Sequence, residues 1–248
     1  MEDSASEDGT GNMTAAVFGA SGAIGGSMAA SLAKNGRFSA VMAGSRAVIL
    51  PVAGCRPFRF DLDDEASIAE AAAALPQPIG LVLVCTGLLH DQASNIVPEK
   101  TLRALHGATL ARLYAVNAIG PALIAKHVLP RLPRQERCIF AVLSAKVGSI
   151  GDNRLGGWHA YRASKAALNM MIRNFAIEMR RTHPEAIVAA LHPGTVESNL
   201  SAPFGRGVPS DKLFTPDYAA EKLLGVIDRL THADSGGFFA WDGMRLPD

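Results

Sequence analysis

Two side chains suited to proton transfer stand four residues apart in the run Tyr161-Arg-Ala-Ser-Lys165. On a helix, residues with this spacing lie on the same face, one turn from each other. A phenol has a pKa of about 10 and is a poor base at neutral pH, but a neighbouring ammonium stabilises the phenolate and lowers that pKa. The pair therefore predicts a tyrosine that exchanges a proton with a substrate oxygen.

A glycine-rich turn near the start of the chain predicts a phosphate-binding site. It follows an apolar strand predicted over residues 14–20 and precedes a helix predicted over Ala23–Asn35. Glycines let the backbone approach a pyrophosphate, and the helix directs its free N–H groups and its positive dipole end at that anion. The candidate contacts in this turn are Gly19, Ser21, Gly22, Ile24 and Gly25.

Apolar strand-like runs alternate with helical patterns along the chain. This order predicts one α/β domain with a Rossmann-type, doubly wound parallel sheet of about seven strands and helices on both faces. The further predicted strands are residues 38–45, 58–61, 79–86, 137–144, 186–191 and 237–241. The further predicted helices are residues 64–75, a long helical region over about 99–129, 161–181 and 217–230.

The two irregular stretches of the chain have different compositions. Residues 1–12 are acidic and rich in serine and glycine, which predicts a short disordered tail before a domain over residues 13–248. Residues 199–215 are rich in glycine and proline and too long for an ordinary connection, which predicts a lid over the site. Phe204, Val208, Leu213 and Phe214 make this lid apolar.

Charge and composition exclude several classes of partner. The chain carries 24 basic and 23 acidic residues, a net charge of +1, so we expect no nucleic-acid partner and no membrane surface. The start has no signal-peptide pattern, and we expect no stretch to reach the about 20 apolar residues of a membrane helix. Cys55, Cys85 and Cys138 form no CxxC pair or metal-ligand spacing, which predicts free thiols, no metal site and a cytoplasmic location.

The end of the second predicted strand indicates which nicotinamide cofactor would fit. An NAD site places a carboxylate here for the ribose 2′-hydroxyl, but the run is Ala43-Gly44-Ser45-Arg46. A guanidinium is a good bidentate partner for a 2′-phosphate, and Ser45 adds a hydroxyl donor. We therefore expect NADP(H), with NAD(H) less suited. The alternative is that Arg46 is a solvated loop residue and that the protein discriminates poorly between the two.

The glycine turn after the first strand and the Tyr161–Lys165 pair after the fifth resemble the short-chain dehydrogenase/reductase family, over residues 14–241. The family turn is commonly TGxxxGxG, and here Phe18 stands for the threonine and Ala23 for the middle glycine. The chain is most similar to small members related to the C-factor cell-signalling proteins. The runs that carry this similarity are Gly148-Ser-Ile, Gly156-Gly-Trp158 and Ser164-Lys-Ala-Ala-Leu-Asn169.

The resemblance implies an NADP-dependent exchange of a hydride with a carbonyl or alcohol, with Tyr161 as general acid/base and Lys165 also reaching the nicotinamide ribose. It implies that Asn117 holds a water beside the lysine and completes a proton relay; the alternative is a buried polar helix residue. It further implies a homodimer or homotetramer, in which the long helices pair between subunits, and a small-molecule carbonyl or alcohol substrate.

Several further cofactor contacts follow from the same resemblance. Asp61 and Leu62 match a pair that contacts the adenine, although Asp61 could equally start the following helix. Thr86 and Gly87 stand where the family has Asn-Asn-Ala-Gly, beside the passing cofactor. A turn after the sixth strand would lie along the nicotinamide, and its candidate residues are Pro193, Gly194, Val196 and Ser198.

The residue that would bind the substrate carbonyl is ambiguous. The family places a serine after the fifth strand, and Ser144 is the natural candidate. In the common pattern two serines are adjacent and the acting one stands three before a glycine; counted back from Gly148, that position is Ala145. Ser149 is the second candidate. The favoured function is an NADP(H)-dependent carbonyl reductase, and the alternative is a dinucleotide-binding regulatory or signalling protein with little turnover.

Overall fold

A seven-stranded parallel sheet runs through the computed structural model, which describes residues 11–47, 52–207, 209 and 212–247. The strands in chain order are β1 Thr14–Phe18, β2 Ala40–Ser45, β3 Arg56–Arg59, β4 Ile79–Val84, β5 Cys138–Leu143, β6 Ala186–His192, β7 Thr195–Val196, β8 Leu213–Phe214 and β9 Phe238–Ala240. The order across the large sheet is β3-β2-β1-β4-β5-β6-β9. The chain leaves β1 toward β3 on one side and returns at β4 on the other. A crevice for a ligand forms outside the carboxyl ends of strands at such a point.

The helices cover both faces of this sheet, as expected for parallel strands. They are α1 Ala23–Asn35, α2 Glu65–Ala74, α3 Gly107–Tyr114, α4 Gly120–Val128, α5 His159–Met179 and α6 Pro216–Arg229. Phe18 of β1 packs with Ile68, Ile124 and Leu168 from α2, α4 and α5, whereas Val17 packs on the other face with residues of α1 and α6. Neighbouring β1 residues thus enter opposite core clusters, and the predicted Rossmann-type fold is confirmed.

The end of α1 and the start of α2 are each determined by a residue at the helix terminus. Gly36 ends α1 in the left-handed region, with φ 64°. Asp64 caps α2 by accepting bonds from the backbone N–H groups of Ala66 and Ser67. The alternative in which Asp61 starts this helix is therefore wrong; the Asp61 carboxylate accepts from the Asp63 N–H instead, at 3.0 Å.

The long helical region predicted over about 99–129 is confirmed from Gly107 onward and is wrong at its start. A separate 3₁₀ turn spans Leu102–Ala104, and α3 begins only at Gly107. Between α3 and α4, Ala115–Ile119 forms a π-helical segment. A π-helical turn inserts an extra residue into the α-helical ladder and often marks a functional site. Periodicity in the sequence does not reveal such an insertion.

The run Gly107–Arg131 is long and apolar enough to cross a membrane by length and composition, with a mean hydropathy of 1.3 in its best window. The expectation that no stretch of the chain reaches this length is wrong by that measure. Ile124, Ala125 and Val128 of this run are buried in the core beneath the sheet. Its apolar character is used in packing against α2, α5 and the strands.

The ends of the predicted lid are tied together by the small parallel sheet of β7 and β8, which the sequence patterns did not predict. Thr195 pairs with Leu213, and Val196 pairs with Phe214. Residues 202–207 form a 3₁₀ turn between these strands. Val208 lies outside the described residues, as do residues 1–10 of the predicted disordered tail.

Substituting Asp64→Ala should lower the free energy of unfolding by about 1 kcal/mol, because two N–H groups at the start of α2 lose their acceptor. Urea unfolding followed by circular dichroism measures this loss. Asp63→Ala is the matched control: it removes only an exposed ion pair with Arg112 and should cost less. An equal loss in both variants would contradict the assigned cap.

Candidate active site

Two cavities open at the carboxyl ends of the strands. The glycine-turn cavity has a volume of ≈ 740 Å³ and is lined by Ser21, Gly22, Thr86 and Lys165, among others. The lid cavity has a volume of ≈ 650 Å³ and is lined by Trp158 and residues of the lid. Both cavities share a wall made of Ile24, Leu89, Ser144, Tyr161, Pro193, Ser198 and Leu200. Tyr161 thus stands where the two cavities meet.

The glycine turn is shaped by close backbone approaches. Gly19 has φ 93°, and a Cβ added at Gly25 would lie 2.4 Å from the Gly19 carbonyl oxygen. A side chain at Gly25 is therefore excluded unless the turn moves. No side chain caps the N-terminus of α1 at Gly22, which leaves the first N–H groups of the helix available to an anion.

Thr86 places an unsatisfied hydroxyl beside this turn. Its Oγ1 is buried and has no hydrogen-bond partner in the described part of the chain. A Cβ on Gly19 would lie 3.1 Å from the Thr86 nitrogen, so the ends of β1 and β4 are in contact. Buried hydroxyls are normally bonded. An orphaned hydroxyl, an open helix N-terminus and a Cβ-free cradle together fit a bound dinucleotide.

Tyr161 and Lys165 are both almost fully buried, with exposed fractions of 7% and 3%. The lysine Nζ lies 6.0 Å from the centre of the Tyr161 ring and donates a hydrogen bond of 2.8 Å to the Leu143 carbonyl. Burial raises the pKa of Tyr161 to about 12. Burial also lowers the pKa of Lys165 to about 8, against a smaller opposing effect of Cys85.

These directions differ from the expectation that the ammonium lowers the pKa of the phenol. Burial removes water from around the Tyr161 hydroxyl, and this raises the pKa of that hydroxyl. Tyr161 therefore carries its proton at neutral pH. In this state it is suited to donate a proton to a substrate oxygen.

Glu99 holds the start of α5, and the sequence patterns did not identify it. Its backbone carbonyl accepts a hydrogen bond of 2.5 Å from the Trp158 N–H, and its carboxylate accepts one of 3.3 Å from the Ala160 N–H. Trp158 itself has a φ of 48°, in the left-handed region. These contacts fix the helix turn that carries Tyr161. No motif connects Glu99 to residues sixty positions later.

The side chain of Asn117 is buried in the π-helical segment and is fully engaged with protein atoms. Its Oδ1 accepts from the Leu88 N–H, and its Nδ2 donates to the Leu88 carbonyl, both at 2.8 Å. Nδ2 also donates to Ser164 Oγ at 3.1 Å. The amide therefore fixes the loop after β4 against α5 at Ser164, the residue before Lys165. Its part in a proton relay stays a prediction.

Ser144 lines both cavities, but its hydroxyl donates to Asn169 Oδ1 at 2.7 Å. Ala145, the next residue, lines the lid cavity and packs against the cluster that contains Tyr161. Ser149 is buried, its Oγ accepts from the Asp152 N–H, and it lines neither cavity. The side chain of this turn that packs against the Tyr161 cluster is thus a methyl group.

The residues predicted to bind the adenine end of a cofactor lie outside both cavities. Arg46 is exposed beyond the end of β2, and the Ser45 hydroxyl donates to the Ala47 carbonyl at 2.5 Å. Leu62 packs toward α4, where a Cβ on Gly120 would lie 2.7 Å from it. The β2 end still borders the glycine turn, because Gly19 N and Ala20 N both donate to the Gly44 carbonyl.

The predicted turn after β6 is placed beside the site. Pro193 and Ser198 line both cavities, and Gly194 and Val196 line the lid cavity. Gly194 has φ 79°, and a Cβ there would lie 2.6 Å from the Phe214 ring, so only glycine fits. The segment is held by Ser201, whose Oγ donates to the Val196 carbonyl at 2.5 Å.

Comparison with known proteins gives a consistent result. The family model described as short chain dehydrogenase matches residues 13–208. The C-signal protein of Myxococcus xanthus is 37% identical over 168 residues, which are 66% of this chain and 95% of that protein. The next two curated relatives are matched over 58% and 56% of their own lengths.

Solved structures share the fold over nearly the whole chain. The NADPH-bound carbonyl reductase from chicken fatty liver has a TM-score of 0.79 at 24% identity, covering 96% of this chain and 99% of that one. The carbonyl reductase Sniffer of Drosophila melanogaster has a TM-score of 0.78 at 19% identity, with the same coverage of 96% and 99%. At these identities the likeness concerns the fold.

Replacing Lys165 with methionine should raise the melting temperature at neutral pH, because the ammonium is buried without a carboxylate within 4.0 Å in the described residues. Each kcal/mol gained corresponds to roughly 2–4 °C. The folded-state pKa of Lys165 is about 8, below its ordinary 10.5, so the penalty is full below that value and fades as pH rises toward 10.5.

Thermal melts of the cofactor-free protein and of Lys165→Met across this pH range measure the effect. The gap between the two melting temperatures should narrow above pH of about 8. A variant that melts lower at neutral pH would show that the lysine stabilises the fold. Arg173→Met, on an exposed position of the same helix, controls for the change of residue type.

Proposed function

Since the chain belongs to the short-chain dehydrogenase family, we propose that it is an NADP(H)-dependent oxidoreductase that reduces the carbonyl group of an aldehyde or ketone. One observation carries the proposal: Tyr161 and Lys165 line the cavity that also reaches the glycine turn. A proton donor and a dinucleotide cradle therefore open into the same space. The chain's likeness in fold to an NADPH-bound carbonyl reductase supports the same activity.

The residues present fit the cofactor, which supplies the hydride when bound. The open N-terminus of α1 and the turn from Gly19 to Gly25 would hold its pyrophosphate. The orphaned Thr86 hydroxyl would bond to it, and Lys165 would reach its ribose. Ser45 and Arg46 would bind a 2′-phosphate at the β2 end, and this is the basis for preferring NADP(H) over NAD(H).

In the proposed reaction Tyr161 donates its proton to the substrate oxygen as negative charge develops there. The raised pKa of Tyr161 keeps this proton in place until that moment. The Lys165 ammonium, one helical turn away, then lies close to the phenolate that remains. The lid residues over both cavities limit the access of water, which strengthens these electrostatic interactions.

We also propose that the protein forms a homodimer or homotetramer and acts in the cytoplasm. Large apolar side chains are exposed on α5, at Met170, Met171 and Ile177. Exposed apolar side chains that cluster on one helix are typical of interfaces. The near-balanced charge supports a small-molecule substrate and neither a nucleic acid nor a membrane as partner.

A second function is favoured by one observation. The Ser144 hydroxyl donates to Asn169, and the next residue that lines the lid cavity is Ala145, which has no hydroxyl. A protein of this kind could bind NADP(H) for regulation or signalling and turn over little substrate. Tight NADPH binding without turnover on any aldehyde or ketone would establish this alternative.

Replacing Tyr161 with phenylalanine should lower carbonyl reduction by at least about 100-fold, because the proton donor is lost. NADPH oxidation measured against a panel of aldehydes and ketones gives the rate, and NADPH fluorescence gives the affinity, which should be retained. Tyr114→Phe, at a position that lines neither cavity, is the matched control. Full activity of the folded Tyr161 variant would refute the mechanism.

Introducing a hydroxyl with Ala145→Ser should raise kcat for carbonyl reduction by about tenfold, since a new donor would face the developing oxyanion. Steady-state kinetics at saturating NADPH measure the gain. The same substitution in the Tyr161→Phe background is the control and should give no gain. An unchanged kcat in the single variant would show that the missing hydroxyl does not limit the reaction.

A further inference from the structure

The lid cavity carries positive charge that the protein does not neutralise. Among its described lining residues the charged groups are Lys146, Asp152, Arg154 and Arg162, and Lys146 pairs with Asp152 at 3.4 Å. Neither arginine has a carboxylate within 4.0 Å among the described residues. The remaining titratable lining residue besides Tyr161 is His192, which burial keeps neutral by lowering its pKa to about 4.

Arg162 is positioned by the backbone of the cavity wall. It follows Tyr161 on α5, and its Nη1 donates to the Val147 carbonyl at 3.2 Å. This one bond orients the side chain and leaves most of its N–H groups without a partner in the described chain. A guanidinium so placed can form the paired bonds that a carboxylate or phosphate accepts.

Arg154 approaches the same cavity from the loop between β5 and α5. It is exposed, and within the described residues its side chain donates one long bond, of 3.4 Å, to the Asn153 carbonyl. The two arginines therefore reach one cavity from two separate segments. A single solvated arginine would be unremarkable, but two unpaired ones beside a paired lysine indicate a place for an anion.

The cofactor does not account for these charges. Neither arginine lines the glycine-turn cavity, where the open N-terminus of α1 receives a pyrophosphate. The 2′-phosphate position proposed above is at the end of β2. The anion that faces Arg154 and Arg162 must then belong to the molecule in the lid cavity.

The rest of the lid cavity is apolar and partly aromatic. Trp158 and Phe204 lie with ring centres 5.0 Å apart, and Val147, Leu155 and Leu200 continue this wall. Leu155 is 91% exposed, so its side chain is accessible to a ligand in this cavity. The wall fits an apolar body of a substrate.

We propose that the substrate is an amphipathic carbonyl compound, with an apolar body against Trp158 and Phe204 and an anionic group bound by Arg162 and Arg154. This substrate class rests on the proposed reductase function, because it assumes that the carbonyl meets Tyr161. The substrate would then be held at two points, its carbonyl at Tyr161 and its anionic group at the two arginines. Arg162 and Arg154 thereby determine the specificity for anionic substrates.

The first test compares ω-oxo carboxylates of increasing chain length with their methyl esters as substrates, with NADPH at saturation. The acids should exceed the esters in kcat/KM by about tenfold or more at low salt, and the ratio should fall as salt screens the charges. Arg154→Gln combined with Arg162→Gln should bring the ratio close to one. Arg162→Lys should retain part of it, since the charge stays.

Arg173→Gln is the matched control, because Arg173 is exposed on α5 and lines neither cavity. It should leave the acid-to-ester ratio as in the unaltered protein. The ratio cancels any general loss of activity in a variant. Equal kcat/KM for acids and esters, or a preference that survives the double substitution, would overturn the proposed substrate class.

A binding experiment separates this inference from the proposed function. Calorimetry on the NADP⁺-loaded protein compares decanoate, decyl phosphate and decan-1-ol, and the anions should bind about tenfold more tightly than the alcohol, with the gain lost in the double variant. The anion that binds more tightly shows whether the site prefers a carboxylate or a phosphate. Arginine-dependent anion binding without carbonyl turnover would refute the reductase alone; turnover without anion preference refutes the substrate class alone.

Discussion

A buried ammonium that has no carboxylate partner among the described residues is the constraint around which the site is built. Lys165 Nζ is held by the Leu143 carbonyl at the end of β5, so the charge ties α5 to the sheet. The 3₁₀ turn Lys146–Gly148 must then pass directly over α5. A Cβ on Gly148 would lie 2.7 Å from Lys165 Cβ, and only glycine permits that approach. Burial at this place lowers the pKa of the lysine to about 8.

The topology of the sheet brings the glycine turn and Thr86 close to Lys165. β1 and β4 are neighbours, and the chain turns away from them in opposite directions, so their ends leave a crevice. Gly19 and Thr86, which follow these strands, touch there, while Ser144 follows the next strand across. α5 then lies along the crevice with Tyr161 at its first turn. Gly19, Thr86 and Ser144 are far apart in sequence, but the strands that they follow are neighbours in the sheet.

Local chemistry made much of the fold predictable. The bounds of α1 were predicted as observed, because a glycine turn precedes it and Gly36 ends it in a left-handed conformation. The central strands were predicted a residue or two too long at their ends, where the buried run continues into the glycine turn or into Cys85 and Thr86. The hydrophobic pattern and the turn residues that determine this helix and these strands all lie within a short window of sequence.

Features that depend on contacts between distant residues were not predictable in this way. Glu99 caps α5 from sixty positions upstream, and the β7–β8 pairing joins two-residue strands that carry no pattern. The π-helical segment around Asn117 looks like ordinary helix in sequence. The raised pKa of Tyr161 also required the structure, because spacing reveals the lysine but not how little water surrounds the phenol.

The pairing of Thr195 with Leu213 and of Val196 with Phe214 makes the lid a module with a fixed base. Lengthening the closed loop between these strands would cost little free energy and would leave the attachment points at the edge of the crevice, provided that Ser201 keeps its bond to the Val196 carbonyl. Such a change would reshape the lid cavity, while the glycine turn and α5, which lie outside the loop, would keep their places.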